Sequence, residues 1–503
     1  MKRFLIFALA CLMLVPALAA CSEKPEPKPS GTTNAATTEA PENNDGVVTD
    51  DPEALYKPTQ DLTKLDFDDA KVRILQCEYK RDEFDFNYGN SETMSNAVFS
   101  RNKQVEEDLG IRFEYVTVKS DSRSPGVLAG EIRKNESLDQ KDKIHIVAQP
   151  SYYSVSIILE GLYENLAGME NSYIDLSRKY WSSGYLDAST VNGRNYFLVG
   201  ELCTSVLDEM EVVFVNNALA LTYFSDIDLY DTVYNNEWNY EKMRELIAMA
   251  GAGESSGTWG LVANANSLSI DGMLSSMGMT TVSIGDNGLP QSGINNAENI
   301  AIVEKLRDLY WNNISVSNTG DAIKRFSEGE AIFTMNMLVY AANLYKSGIE
   351  YTLIPMPMYG ERQEDYVVTA HDEYSSISLC KGLVDASRYT AVIEDLCYRS
   401  HETTYAAKYE KTYGTQYAQS MDNRKMFDFM YQHLNFDLGA VYSNVLGDCK
   451  NVPRYLLYSY DVPVGSVGTL SKDTSIVSTF VNLENQVDVA LEKFIEFFYS
   501  DEN

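Results

Sequence analysis

The side chains most often used for catalysis or metal binding are few and scattered in this sequence. The four histidines, His145, His371, His401 and His433, stand neither in an HExxH motif nor in a close cluster with cysteine. The pattern GxxxxGK[ST], whose backbone would cradle nucleotide phosphates, does not occur. The sequence therefore predicts no catalytic residues, no metal site, no cofactor and no enzymatic activity.

Two segments match a functional motif only formally. "GESSG" (253–257) fits the GxSxG elbow around Ser255, but that elbow follows a strand and opens a helix, whereas this one follows a predicted helix. "DIDLYDTVYNNE" (226–237) has the acids of an EF-hand loop, yet Asp231 stands where that loop requires glycine. We interpret the first as a flexible loop and the second as a polar loop that leads into a helix.

Aromatic residues are abundant, with 34 tyrosines and 4 tryptophans. Flat apolar rings with a polar handle suit ligands that present alternating C–H and O–H groups, as sugars do. A structural role in the core is an equally good interpretation for each of them. Those beside predicted loops are Tyr152, Tyr153, Tyr180, Trp181, Trp259 and Tyr374.

The segments that would position these residues alternate between strand and helix patterns. "KVRIL" (71–75), "RFEYVTV" (112–118) and "KIHIVAQ" (143–149) are rich in β-branched residues and predict strands. A helical pattern over 95–110, ending at Gly110, separates the first two. This alternation predicts an α/β fold with parallel strands.

Further elements follow along the chain. Asn192 and Gly193 suit a type I′ turn and predict a hairpin over 190–200. The remaining predicted elements are a strand at 210–217 and amphipathic helices at 239–251, 296–311 and near 484–499.

The N-terminus has the pattern of a lipoprotein signal. Lys2 and Arg3 precede an apolar stretch over 4–20, which is too short for a comfortable membrane span. The sequence "LAAC" (18–21) matches the bacterial lipoprotein box, in which the chain is cut before the cysteine and the thiol is acylated. We expect Cys21 to carry the lipid anchor.

A polar stretch separates this anchor from the folded part. Residues 22–60 hold six of the fourteen prolines and almost no large apolar residues. Such a composition cannot bury a core and predicts a disordered tether.

Composition restricts the partners and the redox chemistry. The net charge of −32 becomes −34 once Lys2 and Arg3 leave with the signal peptide, which argues against binding to nucleic acid. Five cysteines then remain besides the lipidated one, an odd number without CxxC spacing. We expect buried free thiols rather than a disulfide framework, and pairing of Cys380 with Cys397 stays open.

Four groups of residues follow one another in an order that is typical of one protein family. They are "GLYENLAGMENSYIDLSRKYWSSGYLDASTVNGRNYFLVGEL" (161–202), "VVFVNNALA" (212–220) with "DLYDTVYNNEWNYEKMRELI" (228–247), "FSEGEAIFTMNM" (326–337) and "YTLIPMPMYGERQEDY" (351–366). Behind a lipoprotein box, the chain resembles the extracellular solute-binding proteins of family 1, the lipoprotein receptors of carbohydrate-type ABC importers. It departs from them in Asn239, where threonine is common, and in Ser182, where a second aromatic residue often follows Trp181.

The resemblance implies an α/β, two-lobed periplasmic-binding-protein-like (type II) fold with hinge-crossing strands. A small carbohydrate ligand would lie between the lobes, and ABC permease subunits in the membrane would receive it. We expect a monomer, held by its lipid on the extracytoplasmic face of the cell membrane. The implied segments are a signal peptide at 1–20, the lipidated cysteine and linker at 21–60, lobe 1 at 61–205 with 366–410, and lobe 2 at 206–365 with 411–503.

The resemblance also implies a set of ligand contacts in the cleft between the lobes, chosen by position in these motifs. The candidates are Trp181 and Trp259 for stacking on sugar rings, assisted by Tyr153 and Tyr374, Glu209 and Asn336 for hydrogen bonds to hydroxyl groups, and His371 and Asp372 on the hinge side.

Three functions stay open from sequence alone. The first is capture of a carbohydrate, which we expect to be an oligosaccharide. The second is a receptor of the same fold for another ligand, such as a peptide. The third is a surface glycoside hydrolase using two carboxylates, for example Asp208 and Glu209, or an esterase using Ser255.

Overall fold

Two β-sheets form the centre of the part of the chain that the computed structural model describes. That part comprises residues 52–88, 91–119, 124–267, 270–360 and 363–500. The predicted signal peptide and Cys21 lie outside it. The strands are β1 (Ala70–Cys77), β2 (Ile111–Val118), β3 (Ile146–Pro150), β4 (Glu211–Asn216), β5 (Trp259–Ala263), β6 (Val282–Ile284), β7 (Pro290–Ser292), β8 (Val316–Asn318), β9 (Ala331–Met337), β10 (Tyr351–Pro355), β11 (Ser375–Leu379), β12 (Val462–Val464) and β13 (Gly468–Leu470).

Helices surround both sheets. The α-helices are α1 (Glu92–Leu109), α2 (Pro125–Arg133), α3 (Ser151–Val155), α4 (Ser183–Ser189), α5 (Ser205–Asp208), α6 (Asn217–Phe224), α7 (Leu229–Tyr234), α8 (Tyr240–Ala248), α9 (Gly253–Ser256), α10 (Asp271–Ser276), α11 (Ala297–Asn312), α12 (Ala322–Ser327), α13 (Ala341–Ser347), α14 (Ala386–Ser400), α15 (Met421–Gln432), α16 (Leu438–Val441), α17 (Val452–Tyr455) and α18 (Ile476–Tyr499). A π-helix spans His401–Tyr417. Short 3-10 turns lie at Pro52–Tyr56, Leu62–Lys64, Arg81–Glu83, Phe86–Tyr88, Lys134–Ser137, Gln140–Asp142, Ile158–Glu160, Leu338–Tyr340 and Ser443–Val445.

The first lobe is built on a four-stranded sheet with the order β11-β3-β1-β2. β1 pairs in parallel with β2 and β3, and β11 runs antiparallel to β3. All five residues of β3 are buried, as expected for a strand covered by helices on both faces. The parallel pairing of the first three strands confirms the prediction from their alternation with α1.

The second lobe is built on a five-stranded sheet with the order β10-β4-β9-β5-β8. β5 pairs in parallel with β8 and β9, whereas β4 runs antiparallel to β9 and β10. Every residue of β4 is buried, including the carboxylate residue Glu211 at its start. Helices α7, α8 and α12 pack on this sheet.

The two lobes are joined by paired main-chain segments, which we call the hinge. The amide of Glu211 donates to the carbonyl of Thr369, and the amide of His371 donates to the carbonyl of Glu209, both at 2.9 Å. On the other side, Val368 exchanges two further bonds with the segment 433–435, at 3.1 and 2.8 Å. The chain enters the second lobe through the segment 209–211 and returns to the first lobe through the segment 368–371.

A third connection is helical. The π-helix links α14, which packs on α1 in the first lobe, to α15, which packs on β10 in the second. Side chains of Thr412 and Thr415 donate to carbonyls five residues earlier, at 2.9 and 2.8 Å. The wide turn thus gives hydroxyl groups access to the helix backbone.

Three sequence predictions need correction in detail. The predicted hairpin over 190–200 keeps its turn, with positive φ at Asn192 and Gly193, and its arms pair at Val191 and Arg194. Farther from the turn they pair with other segments, through Leu198 to Ile377 and Gly200 to Trp181. The predicted polar loop at 226–237 contains α7, because the side chain of Asp228 caps its first turn. The predicted flexible loop at 253–257 begins with the single turn α9.

The described end of the predicted tether contacts the first lobe. The amide of Lys179 donates to the carbonyl of Leu55 at 3.0 Å. The ring of Tyr56 stacks on the imidazole of His401 with centroids 4.2 Å apart. Residues 52–60 are therefore packed against the fold.

The five cysteines among the described residues are buried and form no disulfide, so Cys380 and Cys397 do not pair. This confirms the expectation of buried thiols in place of a disulfide framework. None of the described helices combines the length and the apolar character needed to cross a bilayer.

Candidate functional site

A crevice of about 520 Å³ lies between elements of the two lobes. The start of α1 lines it from the first lobe, and α13 lines it from the second. The π-helix closes its remaining side with residues between Lys408 and Tyr417. Its volume falls in the range of roughly 300–1,000 Å³ that is usual for small-molecule sites.

Strand direction explains why these elements meet. α1 follows the carboxyl end of β1, and α13 follows the carboxyl end of β9 after a single 3-10 turn. In open α/β sheets, ligands bind beyond the carboxyl ends of the parallel strands. The crevice therefore occupies the position in which this architecture usually binds a ligand.

One carboxylate in the crevice is fully engaged by its neighbours. Asp208 accepts a hydrogen bond from the Lys408 ammonium at 2.7 Å and another from the Tyr413 hydroxyl. Burial is the largest effect on the pKa of Lys408 and lowers it, but the charges of Asp208, Asp82 and Glu83 and the hydrogen bond to Asp208 together raise it above the ordinary value. Lys408 and Asp208 therefore form an ion pair within the crevice.

Two further lysines line the same crevice. Lys346 lies on α13 and Lys411 on the π-helix, and both side chains are exposed. Neither forms an ion pair with any residue that the structure describes. The described lining thus holds more positive than negative charge.

A second ion pair lies at the hinge itself. The Lys80 ammonium bonds the Glu209 carboxylate, and both side chains are about nine-tenths buried. Burial is the largest effect on the pKa of Lys80 and lowers it, yet the charge and hydrogen bond of Glu209, with the charges of Asp208 and Glu83, together raise it. The predicted hydrogen-bonding group of Glu209 is therefore already paired with a cation.

The structure brings six of the eight predicted ligand contacts together at the hinge. The amide of Ser151 donates to the carbonyl of Tyr374 at 2.8 Å, which places α3 beside the segment that returns to the first lobe. β9 reaches the same place, because the amide of Leu338 donates to the carbonyl of Met210 at 2.7 Å. The six residues are Tyr153, Glu209, Asn336, His371, Asp372 and Tyr374.

The two tyrosines among them differ in burial. Tyr374 is only 2% exposed and packs edge-on against Tyr185 and Phe436. Burial raises its pKa well above the ordinary value. Tyr153 is half-buried, with its ring perpendicular to that of Tyr152 at 5.2 Å.

The two predicted stacking tryptophans lie elsewhere. Trp181 is buried in the first lobe, where its indole donates to Glu394 at 3.0 Å. Trp259 begins β5 opposite Ala331, at the end of the sheet away from the hinge. Asn336 is five residue steps along β9 from Ala331, so the tryptophan lies roughly 17 Å from that part of the hinge.

Close packing surrounds Trp259. A Cβ atom on Gly253 would lie 2.3 Å from its ring, so only glycine fits there. The guanidinium of Arg325 lies over the ring at 5.6 Å from the centroid. As a ligand contact Trp259 stays a prediction, as does Trp181.

Sequence reasoning missed the lysines of the hinge and of the crevice. Lys80, at the hinge, lies three residues beyond the end of β1, and the rule that ligands bind beyond the carboxyl ends of strands was sufficient to make it a candidate. Lys346, Lys408 and Lys411 lie on helices without any motif. Their common location depends on the packing of α13 against the π-helix, which no local pattern encodes.

A sealed ionic cluster lies behind the hinge. The Arg454 guanidinium of α17 bonds the Asp271 carboxylate at the start of α10. The amide of Gly272 donates to Glu211 at 2.8 Å. Burial, and then the charge of Asp271, raise the pKa of Glu211 well above its ordinary value of 4.5.

No group of three or more histidine, cysteine, aspartate or glutamate side chains within the described ranges is arranged to hold a metal ion. The sealed cluster has two carboxylates and an arginine, which is a structural ion pair rather than a ligand set.

The sequence matches no protein-family model and none of the curated proteins that were searched. Solved structures do match. ABC substrate-binding protein Lmo0181 from Listeria monocytogenes, in complex with cycloalternan, has 10% identity and a TM-score of 0.52, covering 84% of this chain and 100% of its own. Maltose-bound MalE3 of T. maritima has 13% identity and a TM-score of 0.51, covering 84% and 99%. The chain therefore has the two-lobed α/β fold of these sugar-binding proteins, as predicted from its sequence.

Proposed function

We propose that the protein is a lipid-anchored receptor of an ABC importer that captures a carbohydrate between its lobes and delivers it to the permease. The observation that carries this proposal is the crevice of about 520 Å³ between two lobes that are connected through the hinge and the π-helix. The fold shared with two sugar-binding proteins supports the choice of ligand class.

Capture would couple to closure of the lobes. A ligand that touches both α1 and α13 gains contacts only when the lobes approach each other. Its higher affinity for the closed form then shifts the population towards closure. The permease would recognise the closed form, and its own ATPase would supply the energy, which agrees with the lack of a P-loop motif in this sequence.

The crevice supports binding better than hydrolysis. Glycosidases require two carboxyl groups about 5–10 Å apart on either side of the scissile bond. Among the described residues that line the crevice, Asp208 is the single acid, and Lys408 and Tyr413 hold its two oxygens. Ser255, the candidate nucleophile of an esterase, lies in α9 and does not line the crevice.

Location follows from the N-terminal motif. We infer that signal peptidase removes residues 1–20 and that acyl chains on Cys21 hold a monomeric receptor on the extracytoplasmic face of the cell membrane. Two or three chains anchor a protein stably, since each buried CH₂ contributes about 0.8 kcal/mol. Cys21→Ala should abolish incorporation of radiolabelled fatty acid and release the protein from the membrane fraction. Retention of label by this variant would contradict the anchor.

Thermal-shift screening of mono- and oligosaccharides against peptides tests the ligand class. A bound ligand at 100 times its Kd stabilises the folded protein by about 2.7 kcal/mol. Ala342→Trp would fill the crevice from α13 and should remove the shift. Ala297→Trp, on the exposed surface at the start of α11, is the control and should retain it. A shift by peptides alone, or conversion of the sugar to products, would overturn the proposal.

A further inference from the structure

We propose that the carbohydrate held in this crevice is acidic, and that Lys346 and Lys411 bind its carboxylate, sulfate or phosphate group. The inference rests on the proposed function and narrows its ligand class. It depends on the charges that line the crevice and on what neutralises each of them.

The single acid of the described lining cannot neutralise these lysines. Asp208 already bonds Lys408 at 2.7 Å and accepts from the Tyr413 hydroxyl. Lys346 and Lys411 line the same crevice without a partner in the described part of the chain. The described lining therefore carries a surplus of two positive charges.

This surplus is opposite in sign to the rest of the molecule. The chain has 73 acidic and 41 basic residues, so a random surface region would be acidic. A concave surface of one sign concentrates ligands of the other sign and speeds their encounter. A strongly acidic protein with a basic crevice would thus repel anions in general and accept them at one place.

Exposed lysines elsewhere are commonly paired within one helical turn. Examples of such pairs are Lys64 with Asp61, Lys134 with Glu131, Lys324 with Glu328 and Lys425 with Asp422. Lys411 has Glu410 as its neighbour in sequence, but that carboxylate bonds Arg424 at 2.8 Å. The nearby acid is thus taken by another cation, and the Lys411 ammonium is left to the crevice.

Closure of the lobes would make the anion necessary. Lys346 lies on the second lobe, whereas Lys411 lies on the π-helix that connects the lobes. Closure removes water and strengthens the repulsion between the two ammonium groups. An anion between them reverses that effect, so an acidic ligand favours the closed form more than a neutral one does.

The remaining lining can accommodate the uncharged part of such a sugar. Thr93 and Thr412 offer hydroxyl groups, and Gln416 offers an amide. The half-buried ring of Tyr417 offers an apolar face, next to Tyr413 at 5.9 Å between centroids. The crevice thus combines hydrogen-bonding groups and an aromatic ring with two free ammonium groups.

Isothermal titration with matched saccharides tests the inference. Oligogalacturonates would be compared with their methyl esters, and sulfated oligosaccharides with their desulfated forms, each at 50 and 300 mM salt. We expect the charged member of one pair to bind on the order of tenfold more tightly at low salt, with a smaller difference at high salt. The pair that shows the effect identifies the anionic group.

Variants assign the effect to the two lysines. Lys346→Gln and Lys411→Gln should each weaken binding of the acidic sugar on the order of tenfold and reduce the difference in affinity between the acidic and the neutral form. Lys346→Arg should keep most of the affinity, since it keeps the charge. Lys493→Gln is the control, because Lys493 is exposed on α18 and does not line the crevice.

The outcomes separate the two proposals. Equal affinity for charged and neutral sugars, or tight acidic-sugar binding by the double Lys346→Gln/Lys411→Gln variant, would overturn the inference and leave the proposed function intact. Failure of every saccharide to bind would overturn both.

Discussion

Two groups of charged residues flank the hinge segment and differ in how their charges are neutralised. Asp208 and Glu211 are only three residues apart, yet Asp208 faces the crevice, and Glu211 belongs to the sealed cluster with Asp271 and Arg454. In the sealed cluster the three groups depend on one another. In the crevice, two lysines have no described partner.

The segment that contains Asp208 and Glu211 thus contributes one carboxylate to the crevice and another to the sealed cluster. The sealed cluster connects the start of β4 to α10 and α17, because Glu211 bonds the amide of Gly272 and Arg454 bonds Asp271. Within this cluster, Glu211 Oε1 and Arg454 Nε are buried and have no hydrogen-bond partner among the described residues. Such a region holds β4, α10 and α17 in place, whereas two lysines that line the crevice form no described ion pair.

The largest expected effect is loss of the sealed ion pair. Arg454→Met leaves the buried carboxylate of Asp271 unpaired and should lower the free energy of unfolding by about 3–5 kcal/mol. Urea denaturation measures the change. Lys64→Met is the matched control, since it breaks an exposed pair with Asp61 and should change the free energy of unfolding far less than Arg454→Met does. Equal losses in both variants would mean that burial does not distinguish the sealed pair.

Removal of the paired lysine in the crevice should cost less. Lys408→Met leaves Asp208 with the Tyr413 hydroxyl and with access to water in the crevice, so we expect a loss of about 1–3 kcal/mol. The same denaturation experiment measures it. A loss larger than that of Arg454→Met would reverse the comparison between the two regions.

The sealed cluster should also determine part of the pH dependence of stability. Folding raises the pKa of Glu211, so the protonated side chain is favoured in the folded state. Its contribution to the free energy of unfolding is complete below the unfolded pKa near 4.5 and is lost as the pH rises through the folded pKa. Glu211→Gln does not titrate and should flatten this loss, with a change of about 1 kcal/mol at low pH. Denaturation midpoints between pH 5 and 9 measure it.

The control for this titration is Glu92→Gln, at an exposed acid in the first turn of α1. It should leave the slope of the pH profile as in the parent protein. A parallel profile for Glu211→Gln would show that Glu211 does not exchange its proton in this range.

The smallest expected effect on stability concerns the two unpaired lysines. Lys346→Gln and Lys411→Gln should each change the free energy of unfolding by less than about 0.5 kcal/mol, because both side chains are exposed and make no described ion pair. Thermal unfolding without ligand checks this. A loss above about 1 kcal/mol would mean that these lysines serve the fold rather than a ligand.

Local patterns were sufficient for most of the elements. The predicted strand at 112–118 is β2, and the predicted helix at 296–311 is α11, within one residue at each end. The turn at Asn192 and Gly193 was correct because positive φ depends only on those two residues. The pairing of its arms was correct at Val191 and Arg194, next to the turn, but not at Leu198, whose partner Ile377 is far away in the chain.

The site was harder to predict for the same reason. Trp181 stands among small polar residues, and its sequence neighbours suggest a loop that faces a ligand. Its indole bonds Glu394, which is 213 residues later, and only the packing of α14 brings the two together. The location of Glu209 and His371 at the hinge could be predicted, because both residues lie next to segments with a recognisable strand pattern.

The hinge is made of main-chain hydrogen bonds between the segments 209–211, 368–371 and 433–435. Every residue except proline can supply such donors, so substitutions at these positions leave the joint between the lobes in place. A joint of this kind requires no particular side chain, so chains with only 10–13% identity can share the two-lobed fold.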